Sequence, residues 1–81
     1  MNFVYIVVEN GIPYPIAYNS FDTAVEVVKE KHAEAIAEEL LEANGDPICS
    51  DLDAPENTDT GITHLYVEKG INIYIYKLAV L

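Results

Sequence analysis

Five glutamates, Glu26, Glu30, Glu34, Glu38 and Glu42, recur at every fourth position of the segment EVVKEKHAEAIAEELLE. Carboxylates can act as general acids or bases, as metal ligands, or as a fixed line of negative charge, and the neighbouring residue types decide among these. Nucleophilic catalysis needs a nucleophile with an adjacent base. The candidates are Cys49, Ser20 and Ser50, and the two histidines, His32 and His64, stand at no recognisable spacing from them. The chain has neither a phosphate-cradling glycine loop nor a nucleophile elbow. No catalytic residue is assigned, and a non-enzymatic protein is expected.

Metal chemistry fares no better. A helix that supplies a carboxylate-bridged metal pair carries Glu-x-x-His, but the residue three before His32 is Lys29. His32 is therefore read as a satisfied core or boundary residue. The stretch DLDAPENTDTG offers Asp51, Asp53 and Asp59 to a calcium ion. Counted from Asp51, however, Pro55, Glu56 and Ile62 occupy positions five, six and twelve, where an EF-hand loop needs an oxygen ligand, a glycine and a bidentate glutamate. No metal and no other cofactor is expected.

What is left is charge. On a helix, residues four apart are neighbours, and each like-charged pair costs about 0.2–0.5 kcal/mol. Lys29 and Lys31 offset part of this in the first half of the row. In the second half, Glu38, Glu39 and Glu42 have no lysine within a turn, and they approach the helix C-terminus, where the dipole disfavours anions. Two readings stand: an ordinary solvated helix face, since glutamate is a good helix former, or a strip of carboxylates that imitates a phosphate backbone. Successive glutamates of the row lie about 6 Å apart axially, sparser than the one charge per roughly 3.4 Å of a DNA strand. The acidic residues that follow, Asp46, Asp51, Asp53, Glu56 and Asp59, would thicken the line if they lay beside the helix.

The elements that would position these groups follow from local patterns. NFVYIVVE reads as a strand, and Asn10-Gly11 directly after it signals a hairpin. Its second arm, IPYPIAY, carries Pro13 and Pro15, which cannot donate to a ladder and so place this strand at an edge. Ser20 is an N-cap, and Phe21, Ala24, Val25, Val28, His32, Ala35, Ile36, Leu40 and Ala43 form an apolar stripe at helical spacing. One helix over 21–43 is predicted, closed by Asn44-Gly45 and Pro47. Residues 46–61 lose periodicity and read as a loop. ITHLYVEKGINIYIYKLAVL then gives two strands around Lys69-Gly70. The expectation is a single α+β domain over 1–81, a four-stranded antiparallel sheet with one helix on one face, in the order β-β-α-β-β.

A single helix leaves the other sheet face uncovered. Tyrosine suits interfaces because its ring buries area while its hydroxyl stays wet, so Tyr5, Tyr66, Tyr74 and Tyr76 are taken as a candidate homodimer face. Cross-strand aromatic pairs on a half-solvated sheet are the alternative.

The whole-chain balance sets the partners. Fourteen acidic residues against four lysines give a formal charge of −10. Phosphate contacts need Lys or Arg, so direct nucleic-acid binding is not expected, and a basic partner is. The lone Cys49 cannot form an internal disulfide, which suits a reducing compartment. The apolar run from Phe3 to Val8 lacks a preceding positive region and is short for a signal peptide. Nothing nears the roughly 20 apolar residues of a membrane span, and a cytoplasmic location is expected.

A very small, strongly acidic α+β chain without catalytic residues resembles the phage-encoded anti-defence proteins, among them the anti-CRISPR and DNA-mimic inhibitors. The resemblance is one of size, charge and architecture. It implies a stoichiometric inhibitor of a basic nucleic-acid-binding protein, and Glu30, Glu34, Glu38, Glu39, Glu42, Asp51, Asp53, Glu56 and Asp59 are the contact set read here. The second reading is a small interaction module that dimerises through its tyrosine-bearing sheet face, with the acidity serving solubility.

Overall fold

The computed structural model describes residues 2–42, 50–67 and 70–81, with the side chains of residues 39–42 also outside the description. The proposed helix end at Ala43, the cap at Asn44-Gly45, Asp46, Pro47, Cys49 and Lys69 lie outside the described residues.

Four strands, β1 (Asn2–Glu9), β2 (Ile12–Tyr18), β3 (Ile62–Val67) and β4 (Ile71–Val80), form an antiparallel sheet in the spatial order β2-β1-β4-β3. The β1–β2 hairpin turns on Asn10 and Gly11, whose φ angles of 48° and 85° are those of a two-residue primed turn. Its register starts at Glu9 opposite Ile12 and shifts between Ile6 and Val8. As its prolines require, β2 is an edge strand.

The expected single helix is instead two, α1 (Phe21–Lys31) and α2 (Ala33–Glu42). Ser20 opens α1 with extended backbone, and its Oγ accepts the Thr23 N–H at 3.2 Å. At His32 the backbone leaves the helical well, with φ −105° and ψ 20°. Hydrogen bonds from His32 N–H to the Val28 carbonyl and from Ile36 N–H to the His32 carbonyl still span the junction. Residues 21–42 contain neither proline nor glycine. The residue at the break is the one whose side chain is tied to β1: His32 Nε2 lies 2.6 Å from Glu9 Oε1. Among the described residues no helix is long and apolar enough to cross a membrane.

The core lies between the helices and one sheet face. Val7, Leu65, Val67, Ile73 and Ile75 point up from the sheet to meet Ala24, Val25 and Val28 of α1. Leu52, from the loop before β3, completes the layer, and its neighbour Asp51 makes a two-bond bridge with Tyr66 on the outer edge of β3. The buried Thr63 hydroxyl is satisfied by the Asn57 N–H at 2.9 Å.

Tyr5 belongs to this core and not to an outward dimer face. Side chains alternate along a strand, so Tyr5 shares the face of Val7; it is 8% exposed and packs edge-to-face on Phe21. Tyr66, Tyr74 and Tyr76 occupy the opposite face. Register assembles that face in rows: Ala17, Ile6, Tyr76 and Ile62 in one, Pro13, Val8, Tyr74 and His64 in the next, flanked by Val4 with Leu78 and by Asn72 with Tyr66. The charged sheet residues among those described, Glu9 and Lys77, both stand on the helix side, in register with Ile73 and Tyr5 respectively.

Candidate functional site

The acidic surface is built from α1, α2 and the loop that follows. Asp22, Glu26 and Glu30 on α1 and Glu34 and Glu38 on α2 are exposed. Their register is that of a solvated stripe, because Ala24, Val25 and Val28 take the buried side of α1. Beside α1 runs the segment from Leu52 to Glu56. Together they frame an open groove lined by Asp22, Glu26, Asp53, Glu56 and Lys29 along with Phe21, Val25 and Leu52.

The lysines decide how much of this charge is neutralised. Lys29 Nζ lies 3.1 Å from Asp53 Oδ1. Lys31 Nζ lies 3.4 Å from Glu9 Oε1 and 4.5 Å from the centre of the Tyr14 ring. Lys77 Nζ stands 4.4 Å from the Phe3 ring centre and 3.9 Å from Glu56 Oε2. These ion pairs lead away from the glutamate row, to the loop and the sheet. The two helix lysines that sequence spacing assigned to soften the row are engaged elsewhere.

The predicted contact residues separate into groups. Glu30, Glu34 and Glu38 stand exposed on the helices. Asp53 is brought against α1 through Lys29, with its side chain 92% exposed. Glu56 is turned inward, accepting the Tyr5 hydroxyl at 3.1 Å. Burial first, and then that carboxylate, raise the pKa of Tyr5. Asp51 is exposed at the β3 edge, and Asp59 sits in a turn where its N–H donates to Asn57 Oδ1. The side chains of Glu39 and Glu42 lie outside the described residues.

Sequence reasoning left Asp22 and Glu26 out of the contact set, yet both line the groove. It also missed Leu52 as the anchor that holds the loop there, although one leucine between two aspartates was a readable signal. A second polar cluster had no signal at all. Glu9 accepts from the Tyr14 hydroxyl at 2.8 Å and meets His32 at 2.6 Å, fastening the helix junction to the β1–β2 hairpin.

Comparison with family models, with curated proteins and with solved structures finds no match for this chain.

Proposed function

We propose that the chain is a non-catalytic inhibitor that sets the acidic surface of α1, α2 and the adjoining loop against the basic, nucleic-acid-binding surface of another protein. The observation that carries this is the placement of the lysines. Lys29 and Lys31 pair with Asp53 and Glu9, and the carboxylates of Glu26 and Glu30 on α1 and of Glu34 and Glu38 on α2 are left facing solvent. Such a row costs stability through its own repulsion. A basic groove repays that cost, because each carboxylate then stands where a phosphate would and meets a lysine or arginine.

Asp22 lines the groove with Glu26 and widens the acidic line on α1, whereas Asp53, which also lines it, is paired there with Lys29. Phage anti-defence inhibitors are the class that the chain resembles in size, charge and architecture.

The test is capture from a lysate of cells rich in nucleic-acid-binding proteins, using immobilised protein at low and at high salt. The wild type should retain basic proteins at low salt and release them at high salt, since exposed charge attraction is screened. A Glu30→Gln, Glu34→Gln, Glu38→Gln variant should retain few. Equal retention by that folded variant overturns the reading.

A further inference from the structure

We infer that the uncovered sheet face is the seat of a second copy of this chain, packed face to face as a two-sheet sandwich with its helices outside. Val4, Ile6, Val8, Tyr74, Tyr76 and Leu78 make a continuous apolar centre for that face. Tyr74 is 38% exposed and Leu78 49%. The described residues of the face carry no Asp, Glu or Lys, on a chain whose net charge is −10. Two of its polar side chains meet in the plane: His64 stacks on Tyr74 with ring centres 4.8 Å apart, and its Nε2 lies 2.9 Å from Asn72 Oδ1.

Charge argues for self-association over a basic partner. A basic protein finds no counter-charge on this face, and its attraction is to the opposite side of the molecule. Two copies repel through their net charge, but geometry removes most of that. Sheets stack about 10 Å apart, and a helix layer lies a further ~10 Å outside each sheet, so the two acidic surfaces end up roughly 30 Å apart. That is nearly four times the Debye length of about 8 Å at physiological salt.

Area agrees. Four strands about 4.8 Å apart and some eight residues long, at about 3.3 Å each, give a flat footprint of about 500 Å². The corrugated accessible surface exceeds this and comes near the ~800 Å² per partner of a standard interface.

The sheet edges argue against the competing mode. On β3, the Thr60 hydroxyl occupies both the N–H and the carbonyl of Ile62, and Asp51 occupies both backbone groups of Tyr66. On β2, Pro13 and Pro15 lack donors. Strand-to-strand association is blunted on both sides, which leaves the face.

Sedimentation velocity tests this on the intact chain. The wild type should sediment at twice the 9.0 kDa chain mass, and Tyr74→Glu and Leu78→Gln variants that keep the native circular dichroism spectrum should sediment as monomers at the same concentration. A monomeric wild type overturns the inference, as does a dimer that persists in the folded variants. If neither variant folds, dilution of the wild type followed by amide chemical shifts decides. Changes along β1 and β4 support the sandwich, and changes confined to α1, α2 or the sheet edges overturn it. The outcome is independent of the acidic-surface reading, whose test uses residues on the opposite side of the molecule.

Discussion

His32 Nε2 and Glu9 Oε1 lie 2.6 Å apart, joining the break between α1 and α2 to the last residue of β1. The same oxygen accepts the Tyr14 hydroxyl and stands 3.4 Å from Lys31 Nζ. One carboxylate therefore ties together two strands and the helix junction. Burial by itself raises the pKa of Glu9, but the hydrogen bonds from His32 and Tyr14, the charge of His32 and the bond from Lys31 outweigh it and hold the group below its ordinary value.

A group whose folded pKa is depressed contributes stability that is present above its unfolded pKa and is lost as pH falls through the folded one. Glu9→Gln should therefore be less stable than the wild type at pH 7. Its thermal midpoint should also decline less between about pH 5 and pH 3, the range in which ordinary and lowered carboxylates titrate. Melting curves across that range check this; parallel declines in the two proteins contradict it.

Leu52→Ala should cost about 2–4 kcal/mol, the usual range for truncating a buried leucine, because Leu52 is 8% exposed and belongs to the core. Asp53→Ala, one residue on, should cost less than about 1 kcal/mol, as an exposed ion pair contributes little. Urea denaturation of the two variants measures the contrast. Similar values would show that the loop does not anchor through Leu52.

Glu30→Gln removes the repulsion with Glu26, its neighbour four residues back on α1, and should stabilise the fold by about 0.2–0.5 kcal/mol at low salt. The gain should vanish in molar salt, where the Debye length falls to about 3 Å. Paired denaturation curves at the two salt concentrations settle the sign.

Gly11→Ala should destabilise the hairpin by about 1–2 kcal/mol, the cost of a left-handed conformation for a residue with a Cβ. Nothing lies within 4 Å of the added methyl, and φ is 85°. The whole effect is thus one of backbone conformation, and Gly11→Asn, which tolerates that region, should recover part of it.

Local chemistry was legible, and non-local chemistry was not. The Asn10-Gly11 turn, the Ser20 cap, the apolar stripe of α1 and the edge position of β2 each follow from residues close in sequence. The break at His32 leaves the spacing of the apolar stripe intact and lies against a carboxylate 23 positions earlier, so periodicity could not reveal it. Tyr5 was misplaced because both faces of Phe3–Val8 are apolar, and alternation then carries no sign of which face is inside. The acidic surface was half legible. The spacing of the glutamates is visible in the helix pattern, but the withdrawal of Lys29 toward Asp53, 24 residues away, and of Glu56 toward Tyr5, 51 residues away, belongs to tertiary structure alone.

The pairing of β1 with β4 has a consequence for the timing of synthesis. These neighbours at the centre of the sheet run from Asn2 opposite Val80 to Glu9 opposite Ile73. At translation rates of about 5–20 residues per second, strands roughly 70 residues apart leave the ribosome about 4–14 s from one another. During that interval β1 has β2 on one flank and still lacks β4 on the other, so the nascent chain carries an open Val-Tyr-Ile-Val-Val edge that closes only when β4 arrives.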